Sequence, residues 1–416
     1  MLQSFSILFL LSVILNYLNR KYLKLSSTIG LLILGLILTV SIGLLKPVFP
    51  GLYIFFCNIV ENTDFENLLF DGMLSFLLFA GAIHVNIKDL NKEKWSVLLF
   101  ASLGVLISTF VVGVIVFFAA QLFNIQLPFI YALLFGALIS PTDPIAVIAI
   151  LKEAGVSKSL EMKIEGESLF NDGVGVVVFS GILLVLGAEH ATAHEISTEI
   201  VALFAEEAIG GIVYGLVLGF VGYYLINSVR DDHQLPVVLS LAIVMGGYSI
   251  ASLLGVSGPL AMVVSGLIIG NKFHLNTEKD TTHVVFNDIW EVIDEVLNGI
   301  LFLLLGISIH LIRFDSNQIL LGVLAFFIVL IGRYISVVIP FSFLKHQEGK
   351  KSDTLKVLTW GGLRGGISLA LALSLPKEAE NSPSETLFVI TYVVVLMSII
   401  LQGLTIGKLV NYLKNK

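Results

Sequence analysis

Two stretches of the sequence carry carboxylates within long apolar runs. Asp143 lies between two prolines, and Ser168, Asn171 and Asp172 follow one another in a second run. At about 3.6 residues per turn, Ser168, Asn171 and Asp172 share one face of a helix. A hydroxyl, an amide and two carboxylates form an all-oxygen set, which suits a hard cation such as Na⁺ or a proton. Transition metals would prefer imidazole or thiolate ligands, which this set lacks.

The backbone around Asp143 cannot form a regular helix. Pro141 and Pro144 lack the N–H groups that would bond to the carbonyls of Ala137 and Ser140, so the sequence predicts a break with two free carbonyls. Membrane transporters build ion sites at such breaks, where irregular backbone lines a wet cavity. The alternatives are a plain proline kink with a stray acid at Asp143 and a polar packing seam between helices in the second run.

A second break is predicted near Arg364, which four glycines surround. Two broken helices in corresponding places indicate a transporter built from inverted repeats. Arg364 would neutralise either the carbonyl end of a half-helix or an ionised carboxylate of the site. Glu167 also needs a counter-charge inside its apolar run, and Arg333 could supply it in a structural ion pair.

One further helix is too acidic to face lipid. It carries Asp288, Glu291, Asp294 and Glu295 near its start. We expect these acids to face a cytoplasmic funnel that attracts cations, or to cap a partner helix.

The composition places these elements in a membrane. Of 416 residues, 56% are hydrophobic and only 13% are charged, and the mean hydropathy is +0.95. Soluble proteins carry roughly 25% charged residues, so a soluble, nucleic-acid-binding or disordered protein is excluded. The single cysteine, Cys57, can form neither an intramolecular disulfide nor a Cys-based metal site. Nothing in the sequence indicates a cofactor.

The apolar runs predict an all-α polytopic membrane protein with about thirteen transmembrane helices, since each crossing needs roughly 20 apolar residues. The predicted spans are 3–19, 25–45, 65–85, 95–123, 127–151, 159–187, 200–228, 235–254, 257–271, 285–310, 317–344, 354–376 and 384–411. Basic residues concentrate in every second loop, and only Lys46, Arg313 and Lys377 fall in the others. Cytoplasmic loops carry such an excess, so we expect an outside N-terminus and a cytoplasmic C-terminus.

Three ordered motifs resemble those of sodium/proton antiporters of the NhaP and NHE type, in the monovalent cation:proton antiporter superfamily. They are Pro141-Thr142-Asp143-Pro144, Gly166-Glu167-Ser168-Leu169-Phe170-Asn171-Asp172 and Trp360-Gly361-Gly362-Leu363-Arg364-Gly365-Gly366. The resemblance covers nearly the whole chain. It implies a fold in which two discontinuous helices cross within a core bundle beside a dimerisation domain, and alternating access of the elevator type.

The resemblance also implies which residues act. The ion ligands would be Thr142, partly by its backbone oxygen, Asp143, Ser168, Asn171 and Asp172, and the core ion pair would be Glu167 and Arg333. The core bundle would comprise residues 95–187 and 317–411. The dimerisation domain would comprise residues 1–85 and 200–310, and the protein would be a homodimer.

The sequence departs from the family pattern in two places. Some members carry an extra acid on the third span, whereas Phe79-Ala80-Gly81-Ala82 offers none, so the proton gate is not identified. The long regulatory tail of animal exchangers is not seen, which favours a prokaryotic transporter of the plasma (inner) membrane that is controlled mainly by pH.

These observations predict a secondary antiporter that exchanges Na⁺, and also Li⁺, for H⁺, with Asp172 and Asp143 carrying the proton. Asparagine at position 171 removes one charge, and by family analogy this implies electroneutral exchange. A K⁺/H⁺ antiporter of the same fold is an alternative. A cation channel is a second alternative, and an intramembrane serine protease is a third, because Gly255-Val256-Ser257-Gly258 fits a G-x-S-G pattern. No metal other than the transported cation and no nucleic acid is expected.

Overall fold

A computed structural model describes residues 2–61, 65–187, 202–277, 281–311, 315–344, 351–375 and 382–415. These residues form helices joined by turns, and no strand occurs among them. The all-helical fold class predicted from the sequence is confirmed.

Short π-helical stretches that begin or interrupt a helix are included in it, whereas the π-helical turn Asn19–Leu23 is kept separate. The helices are numbered here in chain order. They are α1 (Leu2–Leu18), α2 (Ser27–Leu45), α3 (Pro50–Glu61), α4 (65–84), α5 (Ile87–Leu122), α6 (Phe129–Ile139), α7 (Ile145–Glu153), α8 (Lys158–Gly187), α9 (Ala202–Ser228), α10 (Leu235–Leu253), α11 (Gly258–Thr277), α12 (Thr281–Ile307), α13 (Ser316–Ser342), α14 (Lys351–Trp360), α15 (Gly366–Leu373) and α16 (Pro383–Lys414).

The predicted spans and the observed helices coincide to within a few residues at most ends. The fifth span divides into α6 and α7, and the twelfth divides into α14 and α15, as the proline and glycine positions predict. The short helix α3 was not predicted. Seven unbroken helices of the described residues are long and apolar enough to cross a bilayer alone, namely α2, α5, α8, α9, α10, α13 and α16. The exact number of crossings stays a prediction.

The described helices pack in two sets. In one set α5, α6, α8, α13 and α16 contact one another. In the other, α9 packs on α11, α11 packs on α4, and α1 and α2 pack on α12. Glycines allow the closest of these approaches. A Cβ atom placed on Gly215 of α9 would lie 2.8 Å from the carbonyl oxygen of Ala261 on α11. The assignment of the two sets as core and dimerisation bundles stays a prediction.

Trp290 of α12 anchors the second set. Its side chain is fully buried, its indole N–H donates to the Ser240 hydroxyl at 3.0 Å, and its ring lies 4.8 Å from that of Phe79. A buried tryptophan needs such a partner for its N–H group. The acidic start of α12 is therefore fixed against α4 and α10, and this fixes which of its acids face inward.

Candidate ion-binding site

The two broken helices meet at their breaks. Residues 140–144 connect α6 to α7, and residues 361–365 connect α14 to α15. The backbone N–H of Asp143 donates to the carbonyl oxygen of Leu363 at 2.8 Å. Because both stretches have left the helix, each has backbone groups free to bond to the other.

Arg364 occupies the carbonyl end of α6. Its side chain is only 1% exposed, and its Nη1 donates to the carbonyl oxygens of Ser140 at 2.5 Å and Pro141 at 3.1 Å. Of the two roles that the sequence allows for Arg364, this position is the one at the carbonyl end of a half-helix. The prediction that Ala137 also has a free carbonyl is wrong, because the Ser140 N–H bonds to it at 3.2 Å in a tightened last turn.

Side chains of α8 hold the unwound stretch at Thr142. The Ser168 hydroxyl donates to the Thr142 carbonyl oxygen at 2.6 Å, and the Asn171 amide donates to the Thr142 hydroxyl at 2.9 Å. The backbone N–H of Thr142 donates to Asn171 Oδ1 at 3.4 Å. All three residues are buried. The structure thus brings together three of the five predicted ion ligands in one hydrogen-bonded group.

The other two predicted ligands, Asp143 and Asp172, are half-buried and line a cavity of about 590 Å³. Asp143 Oδ1 accepts the backbone N–H of Ile145 at 3.0 Å, so this carboxylate also caps the first turn of α7. Further lining comes from α4, α12 and α15. All five predicted ligands therefore lie at the break or on the helix that contacts it, and the two acids face space that a hydrated ion can enter.

The glycines near the breaks leave room for the site. A Cβ atom placed on Gly365 would lie 2.5 Å from the Cβ of Asp143, and one on Gly362 would lie 2.6 Å from Nε of Arg333. A Cβ atom on Gly175 would overlap the ring of Pro141. Contacts this short do not occur between real side chains, so these three glycines are required sterically rather than for flexibility.

Glu167 and Arg333 form a buried ion pair. Both guanidinium Nη atoms donate to the carboxylate, one of them at 2.9 Å. Arg333 Nε also donates to the carbonyl oxygen of Leu358 at 3.2 Å, near the end of α14. The pair ties α8, α13 and α14 together, and neither residue lines the cavity. That the pair has a structural role stays a prediction.

The sequence interpretation missed the contacts that α16 makes to the second break. The Ser398 hydroxyl accepts the backbone N–H of Arg364 at 3.1 Å and donates to Gln402 Oε1 at 2.5 Å. Gln402 Nε2 in turn donates to the carbonyl oxygen of Trp360 at 2.9 Å. Two polar side chains spaced i, i+4 in an apolar helix were the signal that could have revealed this pair.

The sequence predicts that the acids of α12 either face a funnel or cap a partner helix. In the structure these acids lie in two different places. Glu291 and Asp294 line the cavity. Glu295 instead forms an exposed ion pair with Arg20 of the π-helical turn that follows α1.

Comparison with known proteins decides the family. The sequence model described as "Sodium/hydrogen exchanger, transmembrane" matches residues 7–412. The chain belongs to this family. The Na(+)/H(+) antiporter NhaP of Pseudomonas aeruginosa is 44% identical to this family member over 405 residues, covering 96% of this chain and 94% of that protein. The Na(+)/H(+) antiporter NhaH of Halobacillus aidingensis is 34% identical, covering 94% and 93%.

A solved structure shares the fold of this family member. The sodium proton antiporter MjNhaP1 of Methanocaldococcus jannaschii, solved at pH 8, superposes with a TM-score of 0.72 at 21% identity, covering 100% of this chain and 99% of that one. At this level of identity the likeness concerns the fold alone.

The serine of the G-x-S-G pattern has a structural position in this family member. Ser257 is buried before α11, and its hydroxyl accepts the backbone N–H of Leu260 at 3.3 Å. This is the geometry of a helix N-cap, which explains a serine here without any nucleophilic role.

Proposed function

We propose that the protein is a secondary active antiporter that exchanges Na⁺, and also Li⁺, for H⁺ across a prokaryotic plasma (inner) membrane. One observation carries this proposal. Asp143 and Asp172 line a single cavity where two broken helices cross, in a chain whose relatives are named Na(+)/H(+) antiporters.

Competition for the two carboxylates is sufficient for coupling. A carboxylate that takes a proton loses the charge that attracts a cation, so the site holds one or the other. If the site switches its access from one side of the membrane to the other only when it is occupied, proton movement in one direction drives cation movement in the other. In this proposal Asp172 and Asp143 carry the proton, and both contribute oxygens to the cation.

The remaining site residues shape the cation's surroundings. Thr142 would contribute its oxygens, while Ser168 and Asn171 hold that residue in place by the hydrogen bonds described above. Arg364, Pro141 and Pro144 would support the break, and Glu167 with Arg333 would fix α8. Because residue 171 is an amide, the site has one carboxylate fewer than a double-aspartate site, and we propose one-for-one electroneutral exchange.

We further propose that the core bundle, residues 95–187 and 317–411, moves in an elevator-like manner against a dimerisation domain, residues 1–85 and 200–310. The protein would be a homodimer with its N-terminus outside and its C-terminus in the cytoplasm. A K⁺/H⁺ exchanger would use the same residues, so ion selectivity is part of the test.

The test is dissipation of a pH gradient in proteoliposomes that contain a pH-sensitive dye. Na⁺, Li⁺ or K⁺ is added in turn, with and without an ionophore that clamps the membrane voltage. We expect dissipation with Na⁺ and Li⁺ that does not depend on voltage. Dissipation of the pH gradient with K⁺ alone would favour the K⁺ exchanger, and unitary currents would favour a channel. No dissipation with any of the cations would refute the proposal.

A further inference from the structure

The cavity has a second group of oxygen atoms, on a helix that carries none of the ligands discussed so far. Glu291, Asp294 and Asn298 of α12 all line it. Their spacing of three and four residues places them on one face of the helix. Trp290, buried against α4 and α10, fixes the rotation of α12 that turns this face inward.

Asn298 has an unused acceptor. Its side chain is only 3% exposed, and its Nδ2 donates to Asp294 Oδ1 at 3.0 Å. Its Oδ1 is buried and accepts no hydrogen bond from the described residues. A buried amide oxygen without a hydrogen-bond donor is unfavourable, and this one belongs to a residue that lines the cavity, so a ligand bound there would supply the missing partner.

The charges around the cavity favour a cation as that ligand. Lys152 is the one lysine or arginine among the described lining residues, and His84 can add a charge when protonated. Five carboxylates line the same space, namely Asp143, Glu165, Asp172, Glu291 and Asp294. A cleft with such an excess of one sign concentrates ions of the opposite sign.

We propose that Asp294 and Asn298 form a second cation site, which holds a partly hydrated monovalent cation in the cavity before it reaches Asp143 and Asp172. The Asp294 carboxylate and Asn298 Oδ1 supply oxygen ligands, which hard cations prefer, and Glu291 adds negative charge one turn away. A cavity of about 590 Å³ leaves room for several waters of the hydration shell, at roughly 30 Å³ each.

Kinetics of Na⁺-dependent exchange give the first test, which rests on the proposed function. In Asp294→Asn, the new amide oxygen can still accept from Asn298, so the helix pair is kept while the charge is lost. We expect an increase of about threefold to tenfold in the KM for Na⁺, because the second site loses its carboxylate and no longer holds a cation beside the first site, with an unchanged maximal rate. Asn298→Ala removes the free oxygen and should raise the KM in the same direction.

Asp288→Asn is the matched control, since it removes the same charge from the same helix at an exposed position outside the cavity. We expect its KM to equal that of the unsubstituted protein. Equal shifts in Asp288→Asn and Asp294→Asn would mean that α12 acts only through its overall charge and would overturn the proposal.

Equilibrium binding of radioactive Na⁺ to purified protein gives a second test that needs no transport. The background is the double variant Asp143→Asn/Asp172→Asn, in which the first site is disabled. We expect residual Na⁺ binding that is lost on adding Asp294→Asn and kept on adding Asp288→Asn. Absence of residual binding at saturating Na⁺, or residual binding that survives Asp294→Asn, would overturn the second site. Failure of the antiport proposal would appear separately, as unsubstituted protein without cation-dependent proton flux.

Discussion

The backbone N–H of Asp143 donates to the carbonyl oxygen of Leu363, and this bond joins the two broken helices at their crossing. The carboxylate of Asp143 is therefore positioned by backbone from the other half of the chain. Two residues later, Gly365 lies against the same aspartate. The geometry of the site thus depends on close approach of two main chains, which side chains at 365 would prevent.

Gly365→Ala is accordingly expected to abolish exchange. The added methyl group would lie 2.5 Å from the Cβ of Asp143, so either the aspartate or the unwound stretch must move. A displacement of about 1 Å at a reacting or binding group can cost a factor of about 100 in rate. The measurement is Na⁺-dependent dissipation of a pH gradient in proteoliposomes.

Gly246→Ala serves as the control for this change. Gly246 lies in α10, and a Cβ atom there would meet nothing within 4 Å. Alanine replaces glycine in a helix with a gain of roughly 0.5–1 kcal/mol, so activity should be kept and stability unchanged or raised. Full activity of Gly365→Ala would show that the contact at Asp143 does not matter for transport.

Asp172→Asn is expected to reduce exchange to the level of protein-free liposomes while the protein stays folded. The amide is nearly isosteric with the carboxylate but can neither take up a proton near neutral pH nor carry the charge that binds a cation. Asp172 lines the cavity and is half-buried, so the substitution removes no packing. Proton flux and gel-filtration profile should be compared with those of unsubstituted protein. Retained transport would contradict the assignment.

The sequence predicted the helices and the breaks because their causes are local. Runs of about 20 apolar residues require helices in lipid, and Pro141 and Pro144 cannot complete one. The carboxylates of Asp143 and Asp172 were found by their cost in an apolar run. Each of these signals can be read from neighbours along the chain.

What the sequence did not predict depends on tertiary packing. Ser398 and Gln402 contact the second break only because α16 packs beside it. The sequence around position 361 contains no pattern that indicates these two partners. The Asn298 acceptor was missed because its burial depends on how α12 is rotated. The helix α3 was missed because it is shorter than a membrane crossing, and hydropathy windows are set to that length.

Gln402→Leu is expected to lower the maximal exchange rate about tenfold, through misplacement of the unwound stretch. The leucine fills a similar volume but leaves the Trp360 carbonyl oxygen without the donor Gln402 Nε2 and the Ser398 hydroxyl without the acceptor Gln402 Oε1. The unpaired groups should also destabilise the protein by about 1–3 kcal/mol. Thr405→Val is the comparison, because it removes a bond between α16 and the Trp360 indole but none to unwound backbone. If both variants slow exchange equally, Gln402 has no special positioning role.

Glu167→Gln is expected to destabilise the protein strongly. The substitution leaves the buried Arg333 guanidinium without its counter-charge and replaces one of its two accepting oxygens by an NH2 donor, and breaking a buried ion pair costs about 3–5 kcal/mol. Glu295→Gln removes the same charge from the exposed pair with Arg20, where the expected cost is about 0–1 kcal/mol. Thermal unfolding in detergent, followed by tryptophan fluorescence, measures both variants.

The double variant Glu167→Gln/Arg333→Gln separates this ion pair from a general loss of packing. Removing both charges leaves no uncompensated ion, so the double variant should unfold at a higher temperature than Glu167→Gln alone. A coupling of this sign requires that the two side chains interact directly in the folded protein. If the decreases in unfolding temperature caused by the two single substitutions simply added up in the double variant, Arg333 would have found another counter-charge in the absence of Glu167. The pair would then not be what holds α8 against α13 and α14.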